Sequence, residues 1–346
     1  MQQAVYLLHH GESVRVGGSE RLSDSAEVRS FLRAFDGISD SSAGLACQSL
    51  KAIGRILIHV HTAKLPSGRQ SRVARVLFGL PSSFDALDAI QTWDSAFWNT
   101  SAVADAAAAV TQLPFGSMLN EAGLRDFLRV RRQRDLAETA LAGLIENDLN
   151  EPVRLVAESE TVAWIVYSAA LALPSALRRR LTFATYTNDA EREPAILAGK
   201  WQRSNEPVQN HSGAAAPYAH FTVQQLVEGR SLSPFLRLCD ECAVATSEQL
   251  QDLFALENAP ARLEHECLLR LIDRAETLPR VQQSPPARQR FQDWLTAAMQ
   301  DPNADVAGAL LRVAKVLPSQ RGWSPALIAL AERIRAGVPS PPKRKA

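Results

Sequence analysis

The chain is short of almost every feature that would commit it to a known chemistry. Four cysteines in 346 residues are too few for a disulfide framework at this length. No apolar run reaches the roughly 18 to 20 residues of a membrane-spanning helix. The best candidate, Val162 to Leu173, falls well short. The amino terminus lacks the basic segment and apolar stretch of a secretory leader, so the expectation is a cytoplasmic protein without a membrane partner. Net charge is also nearly missing. Lys and Arg number 38 against 37 Asp and Glu, which gives no global pull toward nucleic acid or an anionic surface. There is no glycine-rich phosphate loop, no G-x-S-x-G, no H-E-x-x-H and no paired D-x-D, and Gly17-Gly18-Ser19 is only a short flexible turn. No cofactor is expected.

What remains is ordinary globular material, 46% hydrophobic and 22% charged, long enough for about two domains. Arginine far outnumbers lysine and alanine is abundant, a composition typical of GC-rich bacterial genomes. The longest ordered signal runs from Glu158 to Asp189. Ser159 suits a helix N-cap and Glu160 the positive end of the helix dipole. Val162 to Leu173 is apolar nearly all round, which requires neighbours on every face. Pro174 ends that helix, Ser175 opens a short second turn, Arg178-Arg179-Arg180 form a basic corner, and Leu181 to Thr187 reads as a central strand.

Before this stretch, Ala4 to Leu8 predicts a buried strand followed by a polar turn-forming run, His9 to Ser19. Ser25 to Ala34 has helical spacing, and Ala43 to Ile53 fits helix or strand equally. Residues 55–79 read as a hairpin around Lys64 to Arg69, and Pro81 to Trp98 opens as a helix. Val103 to Val110 is alanine-rich, which fits a helix or a partly mobile segment. Asn120 to Leu149 predicts a helix pair exposing Arg125, Arg129, Arg131, Arg132 and Arg134, and Val153 to Ala157 a strand. Beyond Asp189 prolines break the pattern, with Ala195 to Trp201 as an edge strand, and from Thr222 onward the periodicity is helical. The expected architecture is α+β. A mixed α/β domain (1–195) leads through a loop-rich connection (196–220) into an all-α domain (221–337) and a disordered basic tail (338–346).

Three constellations invite chemistry. Leu7-Leu-His-His-Gly-Glu-Ser13 resembles the strand-end Arg-His-Gly-Glu-Ser signature of the histidine phosphatase superfamily, which would make His10 and Glu12 catalytic. His9 stands where the phosphate-clamping arginine belongs, and a neutral imidazole lacks that permanent bidentate charge. Cys239 and Cys242 with His265 and Cys267 offer four zinc-type ligands, but the cysteines also continue helical apolar patterns, and buried core thiols are the expectation. His59 and His61 share one face of their strand, either for metal or acid–base work or as the polar side of an edge hairpin. The basic corner Arg178, Arg179 and Arg180 is the candidate docking point for an acidic partner or phosphate.

Leu171 to Thr185, LALPSALRRRLTFAT, resembles a segment of the GTPase-associated proteins of bacterial conflict systems. There a large helix ends in a Leu-Pro-x-x-Leu-Arg-like turn and a strand like Leu-Ser-Phe-x-Thr follows. Gln2-Gln-Ala-Val-Tyr6 is similar to the opening strand of the same family. The resemblance implies a non-enzymatic protein that couples a GTPase to effector modules in anti-phage defence. The reading is therefore an adaptor or scaffold whose partners are other protein subunits, a GTPase among them. A divergent phosphatase-like enzyme is the alternative, and a nucleic-acid-binding subunit is the third, less favoured reading.

Overall fold

The computed structural model describes residues 1–9, 12–18, 28–29, 32, 44–50, 54–64, 70–80, 82–99, 110–187, 194–200, 215–230, 232, 236, 239–240 and 244–258, with single positions at 308, 311, 328, 332 and 336. The chain divides into two compact units, Met1–Leu232 and Ser233–Ala346. The first unit includes both the strand near residue 197 and the helix that begins at Ala216.

One eight-stranded mixed sheet organises the first unit. Its strands are β1 (Gln2–His9), β2 (Glu12–Gly18), β3 (Gly44–Leu50), β4 (Gly54–Lys64), β5 (Gln70–Gly79), β6 (Val153–Val156), β7 (Phe183–Ala184) and β8 (Leu197–Lys200). They lie in the order β2-β1-β5-β4-β3-β7-β8-β6. The pairs from β2 to β7 are antiparallel, whereas β8 runs parallel to both β7 and β6. The hairpin of residues 55–79 is present as β4 and β5, in continuous register from Arg55 opposite Gly79 to Lys64 opposite Gln70. The ambiguous run after Ala43 resolves as β3 because it must pair with β4 on one side and β7 on the other.

Several local expectations need correction. The run after His9 is mostly strand: β2 pairs back on β1, with His9 opposite Glu12. As the edge strand it keeps one side in solvent, leaving Val14 56% exposed, so its composition reads as a turn. The segment near residue 197 is an interior strand, held parallel between β6 and β7, where the sequence suggests an edge. Its Gly199 meets the neighbouring helix so closely that an added Cβ would fall 2.4 Å from Val162 Cγ2.

Among the described residues this unit includes the helices α1 (Ala86–Ile90), α2 (Glu121–Arg129), α3 (Arg131–Glu146), α4 (Ser159–Ala172), α5 (Ser175–Arg180) and α6 (Ala216–Val227). The helix expected from Pro81 to Trp98 is shorter: α1, a series of turns, and a 3-10 turn at Ala96–Asn99. The central helix α4 is buried at every position from Val162 to Ala170, as its all-round apolar sequence requires. Phe127 of α2 stacks on Trp164 with ring centroids 5.7 Å apart, and Tyr218 of α6 donates its hydroxyl to the Ala172 carbonyl at 2.6 Å. Burying Val162, Ile165 and Val166 contributes about 1.5–3 kcal/mol each. Ser159 does not cap α4. Glu158 occupies that position, and the Ser159 hydroxyl donates to Thr185 Oγ1 at 2.9 Å, tying the helix start to the strand it precedes.

The opposite face of the sheet carries a second core. There Tyr6, Ile56, Ile58, Val60, Val76 and Phe78 pack with Val28 and Leu32. In the second unit, Cys239 is fully buried in a helical stretch, and α7 (Ser247–Asn258) starts at a capping arrangement. Thr246 Oγ1 accepts from the Gln249 amide, while Gln249 Oε1 accepts from Ala245 and Thr246. The Val103–Val110 helix, except for Val110, and the tail 338–346 lie outside the described residues.

Candidate functional site

The basic corner at the end of α5 is wired into the fold. Arg178 Nε donates to Asp85 Oδ2, and Asp85 is itself the N-cap of α1, accepting from the amides of Leu87 at 2.8 Å and Asp88 at 3.1 Å. Arg180 reaches the Asp148 carbonyl and carboxylate at the turn after α3, where Asp148 and Leu149 adopt φ of 47° and 55°. Arg179 points outward and is the exposed member of the three. Its carbonyl accepts from Arg55, a residue of β4 only 1% exposed. Arg55 also donates to the Leu181 carbonyl at 2.7 Å and to Cys47 Sγ at 3.2 Å. The guanidinium thus closes on the C-terminal end of α5, where carbonyl oxygens lack helical partners. Burial pushes the Cys47 thiol upward, with the nearby Arg55 charge opposing, so Cys47 is a buried thiol.

The larger accessible basic feature is the elbow between α2 and α3. Arg129, Val130, Arg131 and Arg132 are consecutive and all exposed, with Val130 at 52%. Arg129 pairs with Asp126 at 2.8 Å, and Arg131 lies 3.9 Å from Asp135. Both pairs are well exposed and hold their partners weakly. Arg132 makes no ion pair among the described residues. Behind the elbow, Glu138 of α3 lies between Arg134 at 3.9 Å and His220 Nδ1 of α6 at 3.1 Å.

The histidine pair sits elsewhere, on the sheet face beneath the turns that follow α1. His59 and His61 do share a face, with ring centroids 5.5 Å apart. They do not line an exposed hairpin. Trp98 stacks on His59 at 5.1 Å and Trp93 meets its edge at 6.4 Å, leaving His59 only 3% exposed. Burial, then the charges of His61 and Arg75, lower the His59 imidazole to about 3, and burial with Arg75 lowers His61 as well. Both rings are neutral at physiological pH. The sequence could place the two rings together but could not foresee the aromatic cover, which comes from residues 93–98, or Arg75 opposite His59 on β5.

Of the remaining candidates, Glu12 opens β2 opposite His9 at the hairpin corner, and His10 lies outside the described residues. That corner and His61 belong to the same end of the sheet, since Leu7 pairs with Val73 and Val73 with His61. Cys239 is described and buried, whereas Cys242, His265 and Cys267 lie outside the described residues. Among the described residues no three His, Cys, Asp or Glu side chains gather as a metal site, and no helix is long and apolar enough to cross a membrane.

Residues 124–219 match the family model of GTPase-associated protein 1, middle domain. The match spans most of α2, all of α3, α4 and α5, strands β6 to β8, and the start of α6. It therefore includes both the basic corner and the exposed elbow. Over this stretch the chain is similar to a GTPase-associated protein, in agreement with the resemblance carried by Leu171 to Thr185. Comparison with curated proteins and with solved structures returns no match.

Proposed function

We propose that this chain is a non-enzymatic adaptor of a multi-component bacterial defence system and that a GTPase is its principal partner. The observation that carries the reading is the match of residues 124–219 to a GTPase-associated middle domain. The exposed Arg129-Val130-Arg131-Arg132 elbow inside that stretch supports it. Guanidinium groups beside an aliphatic side chain suit a protein interface, because arginine combines charge, planar hydrogen bonding and apolar contact. Arg178 and Arg180 hold α5 in place, which leaves Arg179 as the member of the basic corner that faces outward. Any nucleotide hydrolysis belongs to the partner.

The test is affinity purification of the tagged protein from its native host, with identification and stoichiometry of what accompanies it. A stoichiometric GTPase, lost when Arg129, Arg131 and Arg132 are replaced together by Ala, is the expected result. A protein that emerges alone and turns over a phosphoester, with activity abolished by His10→Ala, would overturn the reading in favour of an enzyme. Salt-dependent retention of nucleic acid instead of a protein would favour the third reading.

A further inference from the structure

The elbow between α2 and α3 holds three residues that the fold itself does not favour. Arg131 and Arg132 stand in the first turn of α3, at the positive end of its dipole, and that turn has no acidic residue. Val130 occupies the N-cap, a position for which valine is among the least suited residues, and it makes no side-chain cap hydrogen bond. It is also, among the described residues, one of the few large apolar side chains left exposed, at 52%. Arg129 differs, because it closes α2, where the dipole favours a cation. A serine or aspartate cap followed by a glutamate would start α3 more stably. Folding therefore does not account for Val130-Arg131-Arg132.

The charge here is local. Residues 125–135 contain five arginines and two aspartates, a net +3, whereas the whole chain carries +1. Arg125 packs against Gly229 and Arg134 lies 3.9 Å from Glu138, so Arg129, Arg131 and Arg132 are the charges that face outward, with Val130 among them. Their acidic neighbours Asp126 and Asp135 are themselves exposed and compete weakly with any incoming carboxylate. Charge and shape together select the occupant. Carboxylates match the guanidinium groups, and an apolar side chain between them matches Val130. A nucleic-acid backbone would use the charge and leave Val130 unmatched.

We infer that Arg129, Val130, Arg131 and Arg132 dock an acidic segment of the partner protein, one that sets an apolar side chain among its carboxylates. The inference rests on the adaptor reading and deepens it, by stating the chemistry of the surface that the partner must present.

The experiment places a photo-reactive benzophenone amino acid at position 130 of the full-length tagged protein in its native host, and identifies the cross-linked peptide by mass spectrometry. Cross-linking to one acidic segment of a co-purifying protein is the expected result. In the double variant Arg131→Glu, Arg132→Glu the yield should fall about tenfold or more, because like charges then face each other. The same double variant without the cross-linker should melt at or above the parent's temperature, since glutamate suits the first turn of a helix. A lower melting temperature would mean that the arginines serve the fold, and would overturn the inference. So would an undiminished yield in the double variant, cross-linking to nucleic acid or to a neutral or basic peptide, or no cross-linking at all. A GTPase that co-purifies without cross-linking to position 130 leaves the adaptor reading standing and removes this one. An acidic segment of a protein that is not a GTPase supports this inference and removes the GTPase from the adaptor reading.

Discussion

Replacing Arg55 by methionine isolates what holds the end of α5 to the sheet. Methionine keeps most of the apolar stem but removes the donors to Arg179 O, Leu181 O and Cys47 Sγ. Hydrogen bonds from a charged donor contribute about 1.5–3 kcal/mol each, and each carbonyl left unpaired in the interior costs about 1–3 kcal/mol. Removing the buried guanidinium also relieves its desolvation cost, which in other proteins offsets much of such a loss. The net destabilisation expected is about 2–5 kcal/mol, a large part of the roughly 5–15 kcal/mol that a folded unit has. Urea unfolding followed by tryptophan fluorescence reads this directly. For a unit of this size each kcal/mol lowers Tm by about 2–4 °C, so a fall on the order of 10 °C should accompany it. Arg55→Lys keeps the charge but loses the planar fork, and should fall between parent and Arg55→Met. If Arg55→Met unfolds within about 0.5 kcal/mol of the parent, the range of a neutral surface substitution, then Arg55 does not fasten α5 and the argument fails.

Asp85→Ala removes both the α1 cap and the partner of Arg178, and should cost about 2 kcal/mol in denaturant unfolding. Asp85→Asn, which still caps, should cost about half as much. The His59 ring, at about 3 when folded against 6.5 in the unfolded chain, makes stability depend on pH. Between those values the unfolded state binds the extra proton, so stability falls as pH drops from about 6.5 toward 3, by up to about 1.4 kcal/mol per unit. Melting temperatures across this window should flatten in His59→Phe, and an unchanged slope would refute the assignment. Gly199→Ala drives a methyl group into Val162 and should destabilise the first unit by about 1–3 kcal/mol, measured by the same urea unfolding.

The sequence by itself determined the elements whose local pattern is strong and complete. Val162 to Leu173 reads as a buried helix, residues 55–79 as a hairpin, and Asn120 to Leu149 as a helix pair. It also placed His59 and His61 on one face, because strand periodicity fixes that much. The segment from Leu171 to Thr185 carried the family likeness that the match over residues 124–219 supports. Only the tertiary structure decided the rest. β2 became a strand because β1 was there to pair with it, and the segment at Leu197 became an interior strand because β6 and β7 close on both of its edges. Neither fact is written in local composition. The arginines show the same division. Charge marks Arg178, Arg179 and Arg180 equally in the sequence, but Asp85 and Asp148, distant in the chain, take up two of them and leave Arg179 outward. Arg55, unremarked in any motif, acquires its role because α5 ends its carbonyls over β4. Long-range contacts assign partners to polar groups, and a linear pattern does not carry that information.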